Sequence, residues 1–234
     1  MANIDALKGP SLMPASGKAP TSAVVLLHGY GSNGDDLIGL APYFAGILPG
    51  AAFYSPNAPH PLEGGFMGGY QWFGLGGYDP GALARDPGRL SAAFKALRPG
   101  TAAAAAVLDS YLDQVLAHHA LDPSRLALLG FSQGTMMALH VGLRRLKRLG
   151  GILGYSGALT GSDFLAAEIK SKPPVALVHG DADPVVPFAA MLEAEKVLAS
   201  VGVTYESLKV RGLQHGIDGE GAAFGAAFLK KSIG

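Results

Sequence analysis

The sequence predicts an α/β fold, with a mostly parallel central sheet flanked by helices. Three observations carry that expectation. Short apolar runs alternate along the chain with longer helical patterns, as βαβ units require. The 234 residues are 49% hydrophobic and only 15% charged, which supplies a sizeable core and is the reverse of the balance that marks disorder. No internal repeat and no linker-like break in composition interrupts the chain, so one domain over residues 1–234 is the economical reading.

The elements follow in order. Residues 23–27 (AVVLL) read as a buried strand, and the Gly-rich loop 28–34 (HGYGSNG) leads through Asp35 and Asp36 into a helix ending near residue 48. Two acids in a first turn suit the positive end of a helix. Residues 51–55 form a second strand. Residues 56–100 are dense in Gly and Pro and read as an irregular loop near the site, longer than connecting loops usually are. Thr101 is the expected cap of a helix over 102–119, where Leu108, Leu112, Val115, Leu116 and His119 recur at spacings of three and four. A strand at 126–129, a helix from 134 to about 148, strands at 152–156 and 175–179, a helix over 188–201, a strand at 204–210 and a terminal helix near 221–231 complete the pattern.

Eighteen Lys and Arg balance eighteen Asp and Glu, so no broad positive field exists and nucleic acid is not an expected partner. The absence of Cys removes disulfides and thiolate chemistry. The seven histidines are scattered without metal-ligand spacing, so neither a metal nor another cofactor is expected. The first twenty residues do not resemble a signal peptide, and no segment reaches about 18 uninterrupted apolar residues. Cytoplasmic location without stable membrane insertion is therefore the default expectation. The cluster Arg144, Arg145, Lys147 and Arg148 is expected to complement the negative end of the preceding helix.

Chemistry concentrates in residues 130–134 (GFSQG), a G-x-S-x-G with a strand before it and a helix after it. In that context Ser132 sits on a sharp strand-to-helix turn that lifts its side chain, whereas a Gly-rich turn with an incidental serine is the plain alternative. A serine hydroxyl needs a base, usually His, oriented by a carboxylate. Downstream, GDADPVVP follows the strand at 175–179 and LQHG follows the last strand, so Ser132, Asp183 and His215 occur in order, each after a strand's C-terminal end. Asp181 competes for the orienting role because it could serve its own turn, while Pro184 biases Asp183 toward an extended geometry. Spacing leaves both open. His28 and His179 end strands and read as structural; His118, His119 and His140 fall in helices, and His60 lies in the Pro-rich loop. Oxyanion donors are expected at the Gln133 N–H and, from the loop after the first long strand, at the Tyr30 N–H.

Four motifs, LLHGYGSNGDDL, LLGFSQGTMMAL, VHGDADPVVPF and LQHGI, resemble the phospholipase/carboxylesterase family of α/β hydrolases, which includes acyl-protein thioesterases. The likeness runs from about residue 23 to 229. It implies the α/β-hydrolase fold, Ser132 as nucleophile, His215 as base, Asp183 rather than Asp181 as the acid, backbone oxyanion donors at Tyr30 and Gln133, and Trp72 and Phe73 near the serine. Tyr30 stands where thioesterase members often carry an aliphatic residue, so the resemblance leaves acyl preference open.

Phe66, Met67, Tyr70, Trp72, Phe73, Leu75 and Tyr78 of the loop together are the expected pliable wall over the site, with Phe66, Tyr70, Trp72 and Phe73 singled out for substrate binding and packing onto the sheet as the alternative. On the wall reading, Trp72→Ala would alter acyl preference more than stability. The expected activity is serine carboxylesterase action on short- to medium-chain esters, with a small-molecule ester as partner. An acyl thioesterase or lysophospholipase with the same triad is the runner-up, and a catalytically silent scaffold is the alternative of another class. The oligomeric state stays open, a homodimer included.

Overall fold

The structure is a computed structural model that describes residues 3–62 and 68–234. In chain order its elements are β1 (Ser11–Leu12), β2 (Ser22–Leu27), α1 (Gly34–Leu37), α2 (Ala41–Ala45), β3 (Ala51–Tyr54), β4 (His60–Pro61), β5 (Tyr70–Gln71), α3 (Pro80–Arg85), α4 (Leu90–Ala96), α5 (Arg98–His119), β6 (Leu126–Phe131), α6 (Gln133–Gly142), β7 (Gly151–Tyr155), α7 (Leu165–Glu168), β8 (Val175–Gly180), α8 (Ala189–Ser200), β9 (Tyr205–Val210) and α9 (Gly219–Ile233).

Seven strands form one sheet in the order β1-β3-β2-β6-β7-β8-β9, parallel except for the β1–β3 edge pair. Its central strands are apolar on both faces, as covered parallel strands must be. Ala23, Val25, Leu27, Leu126 and Leu128 pack under α4, α5, α6 and α8. Val24, Leu26, Ala127 and Leu129 pack under α2 and α9 on the other side. Chain order reverses between β2 and β6, which opens a crevice at the carboxyl ends of these two strands.

The expected helix over 35–48 is broken into α1, a short 3-10 turn at Ile38–Leu40 and α2. Pro42 lacks the N–H that a continuous helix would need in this stretch. Asn33 caps the first piece by accepting the Asp36 N–H at 2.9 Å, and Asp35 and Asp36 occupy its first turn as anticipated. Helix α5 begins at Arg98, ahead of the predicted Thr101 cap, because Pro99 is compatible with a first helical turn. Thr101 instead sits inside the helix, where its hydroxyl bonds back to Arg98 O at 2.9 Å.

Helix α6 stops at Gly142 rather than near residue 148, and this changes the reading of the basic cluster. Arg144 reaches the last-turn carbonyl of His140 at 3.1 Å but pairs chiefly with Glu168. Arg145 pairs with Asp109 and Asp113 on α5, and Arg148 donates to Lys172 O. The cluster therefore ties helices and loops together more than it complements one helix end. The described residues of the 56–100 stretch likewise carry regular elements, the antiparallel β4–β5 pair, α3 and α4. Asp79 caps α3 by accepting the Ala82 N–H, with Pro80 behind it.

Candidate active site

Ser132 is the residue between β6 and α6, with φ 55° and ψ −115°. That left-handed conformation is strained for a side-chain-bearing residue and costs of order 1–3 kcal/mol. Surrounding structure enforces it. The Ser132 N–H donates to Tyr155 O at 2.9 Å, and Thr135 Oγ1 lies 2.8 Å from both Gly130 O and Tyr155 O, its one hydrogen shared between these acceptors. Gly134 is required by close approach, because a Cβ there would lie 1.8 Å from Leu27 O.

The loops after β8 and β9 bring the two partners to this serine. His215 Nε2 lies 3.0 Å from Ser132 Oγ, and His215 Nδ1 lies 2.7 Å from Asp183 Oδ2. A carboxylate can only accept, so Nδ1 carries the proton and Nε2 is left to accept from the serine hydroxyl. Asp183 is buried and takes the Val185 and Val186 N–H groups on Oδ1 at 2.8 and 2.9 Å. Burial alone would raise its pKa; hydrogen bonds from His179, His215 and the Val186 N–H outweigh burial and hold the carboxyl well below its usual range. Asp181 faces elsewhere: its Oδ1 accepts the Gly212 N–H at 2.6 Å, linking the loops that bear Asp183 and His215.

His179 is a residue whose role composition and spacing did not reveal. Its Nε2 lies 2.8 Å from Val186 O, an acceptor only, and so must carry hydrogen; it also lies 3.3 Å from Asp183 Oδ2. The HG-D spacing after β8 was the available signal. His28 has the opposite tautomer, donating from Nδ1 to Gly29 O at 2.8 Å and accepting the Ala58 N–H on Nε2 at 3.0 Å. Burial lowers its pKa, which keeps Nε2 free to accept.

The loop after β2 lies beside the serine, and a Cβ on Gly29 would stand 3.3 Å from Ser132 Cβ. Tyr70 secures this loop through its backbone, accepting the Gly31 N–H at 2.9 Å and donating to Ser32 O at 2.8 Å. Among the hydrogen bonds of the described residues, the intervening Tyr30 N–H and the Gln133 N–H donate none. Both residues line the cleft beside Ser132.

That cleft has a volume of about 230 Å³ and is walled by Leu37, Leu75, Tyr78, Leu97, Met136, Val185 and Val186. Three of the side chains predicted for its wall, Tyr70, Trp72 and Phe73, are placed otherwise. Trp72 and Phe73 are buried in the core beneath it, and half-buried Tyr70 acts through its backbone. Trp72 donates its indole N–H to His28 O at 3.0 Å and its backbone N–H to Gln133 Oε1 at 2.9 Å, while Gln133 Nε2 donates to Phe73 O at 2.7 Å. Such polar satisfaction fits a large aromatic inside the core rather than on a wall. Phe66 and Met67 lie outside the described residues. Leu75 and Tyr78, which belong to the same expected wall, do line the cleft.

Among the described residues, no group of three or more His, Asp or Glu gathers to hold a metal ion, and no helix is long and apolar enough to cross a membrane. The arrangement can activate a hydroxyl for attack on a carbonyl carbon and can present two backbone donors to the resulting oxyanion.

Known proteins resemble this chain in sequence and in fold. The Phospholipase/Carboxylesterase family profile matches residues 11–233. An acyl-protein thioesterase 1 of Emericella nidulans is 30% identical over 223 residues, covering 90% of each chain. The crystal structure of esterase PE8 superposes with a TM-score of 0.86 at 40% identity, over 97% of this chain and 99% of that one. A carboxylesterase from Mesorhizobium loti shares the fold at 18% identity, with a TM-score of 0.73 over 96% and 94% of the two chains.

Proposed function

The chain belongs to the phospholipase/carboxylesterase family of α/β hydrolases, and on that premise we propose that it is a serine carboxylesterase acting on short- to medium-chain esters. One observation carries the reading: the unbroken relay from Ser132 Oγ to His215 Nε2 at 3.0 Å, and from His215 Nδ1 to Asp183 Oδ2 at 2.7 Å.

In this account Ser132 Oγ attacks the ester carbonyl carbon while His215 Nε2 takes its proton. The carbonyl oxygen becomes an oxyanion held by the Tyr30 and Gln133 N–H groups, donors fixed in place before the reaction begins. His215 then gives the proton to the departing alkoxide, leaving an acyl group on Ser132. Water, deprotonated by the same His215, hydrolyses that acyl-enzyme. Asp183 stays ionised throughout, fixing the His215 tautomer and stabilising the imidazolium. The depressed pKa of its carboxyl suits that part.

Thioester or lysophospholipid hydrolysis would use the same residues, and the relative from Emericella nidulans carries a thioesterase name. The cleft favours short chains over that reading, since its volume of about 230 Å³ lies below the roughly 300–1,000 Å³ of most small-molecule sites. Turnover of p-nitrophenyl esters from acetate to palmitate, with a matched acyl thioester, tests the assignment. A Ser132-dependent peak at short or medium ester chains is expected; preference for the thioester or the longest chains would overturn it.

A further inference from the structure

The segment that follows Trp72 and Phe73 crosses from the core to the rim of the cleft and is held at both ends. At its start, the Gln133 amide pairs with the Trp72 N–H and Phe73 O. At its far end, the Tyr78 hydroxyl reaches Val185 O at 2.7 Å. A carbonyl oxygen can only accept, so the phenolic hydrogen is directed at Val185. Burial and the Asp183 charge both raise the Tyr78 pKa, so the phenol remains a neutral donor.

Between these anchors lie Gly74, Leu75, Gly76 and Gly77, closed into a turn by the Tyr78 N–H donating to Leu75 O at 3.1 Å. Gly76 has φ +56°, a conformation that favours glycine, and a Cβ on any of the three glycines would meet nothing within 4 Å. Leu75 is therefore the one side chain of this turn that meets the cleft, with Tyr78 beside it. The segment bearing Val185 is itself fixed, because the Val185 and Val186 N–H groups are held by Asp183 and Val186 O is held by His179.

The two anchors differ in kind. The Gln133 pairings are buried, so breaking them strands polar groups away from water, whereas the Tyr78–Val185 bond is exposed and water can replace it. If the segment yields, it yields at Tyr78.

We propose that residues 74–78 are a strap that sets the acyl length this cleft accepts, with Leu75 as its wall and the Tyr78 hydroxyl as its latch to Val185. The preferred substrates are esters of short acids that fit beneath the closed strap. This inference rests on the carboxylesterase reading for its chemistry, but the size of the cleft can be read without turnover.

The test measures kcat/KM on p-nitrophenyl butyrate and octanoate for the native chain, Tyr78→Phe and Leu75→Ala. Taking the ratio of the two esters within each protein cancels any general loss of activity. The octanoate-to-butyrate ratio is expected to rise in both variants by about fourfold for each further methylene accommodated. In parallel, sodium butyrate and sodium octanoate are titrated against Ser132→Ala with and without Tyr78→Phe, and octanoate affinity is expected to rise with the second substitution. Esterase turnover with an unmoved ratio in both variants and unmoved octanoate affinity would overturn the strap and leave the carboxylesterase reading standing. Absence of native turnover, with octanoate affinity still raised by Tyr78→Phe, would overturn that reading and keep the strap.

Discussion

His179 Nε2 lies 3.3 Å from Asp183 Oδ2, the same oxygen that accepts the His215 Nδ1 proton at 2.7 Å. Asp183 thus shares its charge between two imidazoles, one leading to the serine and one buried behind it. The single Nε2 hydrogen of His179 is directed at Val186 O, so this imidazole braces the loop that holds Asp183. His179→Leu should therefore loosen Asp183 and lower kcat on a short ester by about tenfold with KM little changed, roughly 1.4 kcal/mol of lost positioning. His179→Gln, which can restore an N–H to Val186 O, should recover part of that loss. An unchanged kcat in His179→Leu would remove His179 from the positioning of Asp183.

Trp72 is fully buried and bonded through both of its nitrogens, so it holds the underside of the site together. Trp72→Ala should cost about 3–5 kcal/mol of stability, as large-to-small changes of buried aromatics do. Denaturant unfolding monitored by circular dichroism checks this. A stable variant with only its acyl preference altered would restore the wall that the sequence suggested.

The contrast between Trp72 and Leu75 marks where sequence reading ran out. Strand runs such as 126–129 and the order of Ser132, Asp183 and His215 were legible because each depends on local apolar pattern or on the loop that must follow a strand. Which side chain of a Gly-rich segment faces the cleft depends on its long-range anchors. Gln133 binds Trp72 and Phe73 from 61 and 60 residues away, and no local pattern announces such a pairing. The same holds for His179, whose strand-end position was visible but whose contact with Asp183 was not. The break in the predicted 35–48 helix could have been read from Pro42, and the α3 start from Asp79–Pro80.

His140 is buried on α6 beside the Arg144–Glu168–Arg98 ion cluster, and its Nδ1 has no hydrogen-bond partner. Burial lowers its pKa to about 4, with Arg144 and Arg98 acting in the same direction and Glu168 opposing. Its ordinary pKa of 6.5 applies in the unfolded chain, so between pH 6.5 and about 4 the unfolded state binds the proton first. Stability contributed by neutral His140 is complete above pH 6.5 and is lost as pH falls through that window, by up to roughly 3 kcal/mol. Urea unfolding of the native chain and His140→Phe at pH 7 and pH 4.5 compares the two slopes. Loss of stability on acidification should be smaller in the variant; equal losses would show that another group titrates there.

Ser132, activated by His215, is the proposed nucleophile, and intact-protein and peptide mass spectrometry after treatment with a fluorophosphonate probe reads it out. One adduct is expected, on the peptide containing Ser132, absent from Ser132→Ala and strongly slowed in His215→Ala. No adduct on a folded native chain, or an adduct on another residue that persists in Ser132→Ala, would overturn this assignment.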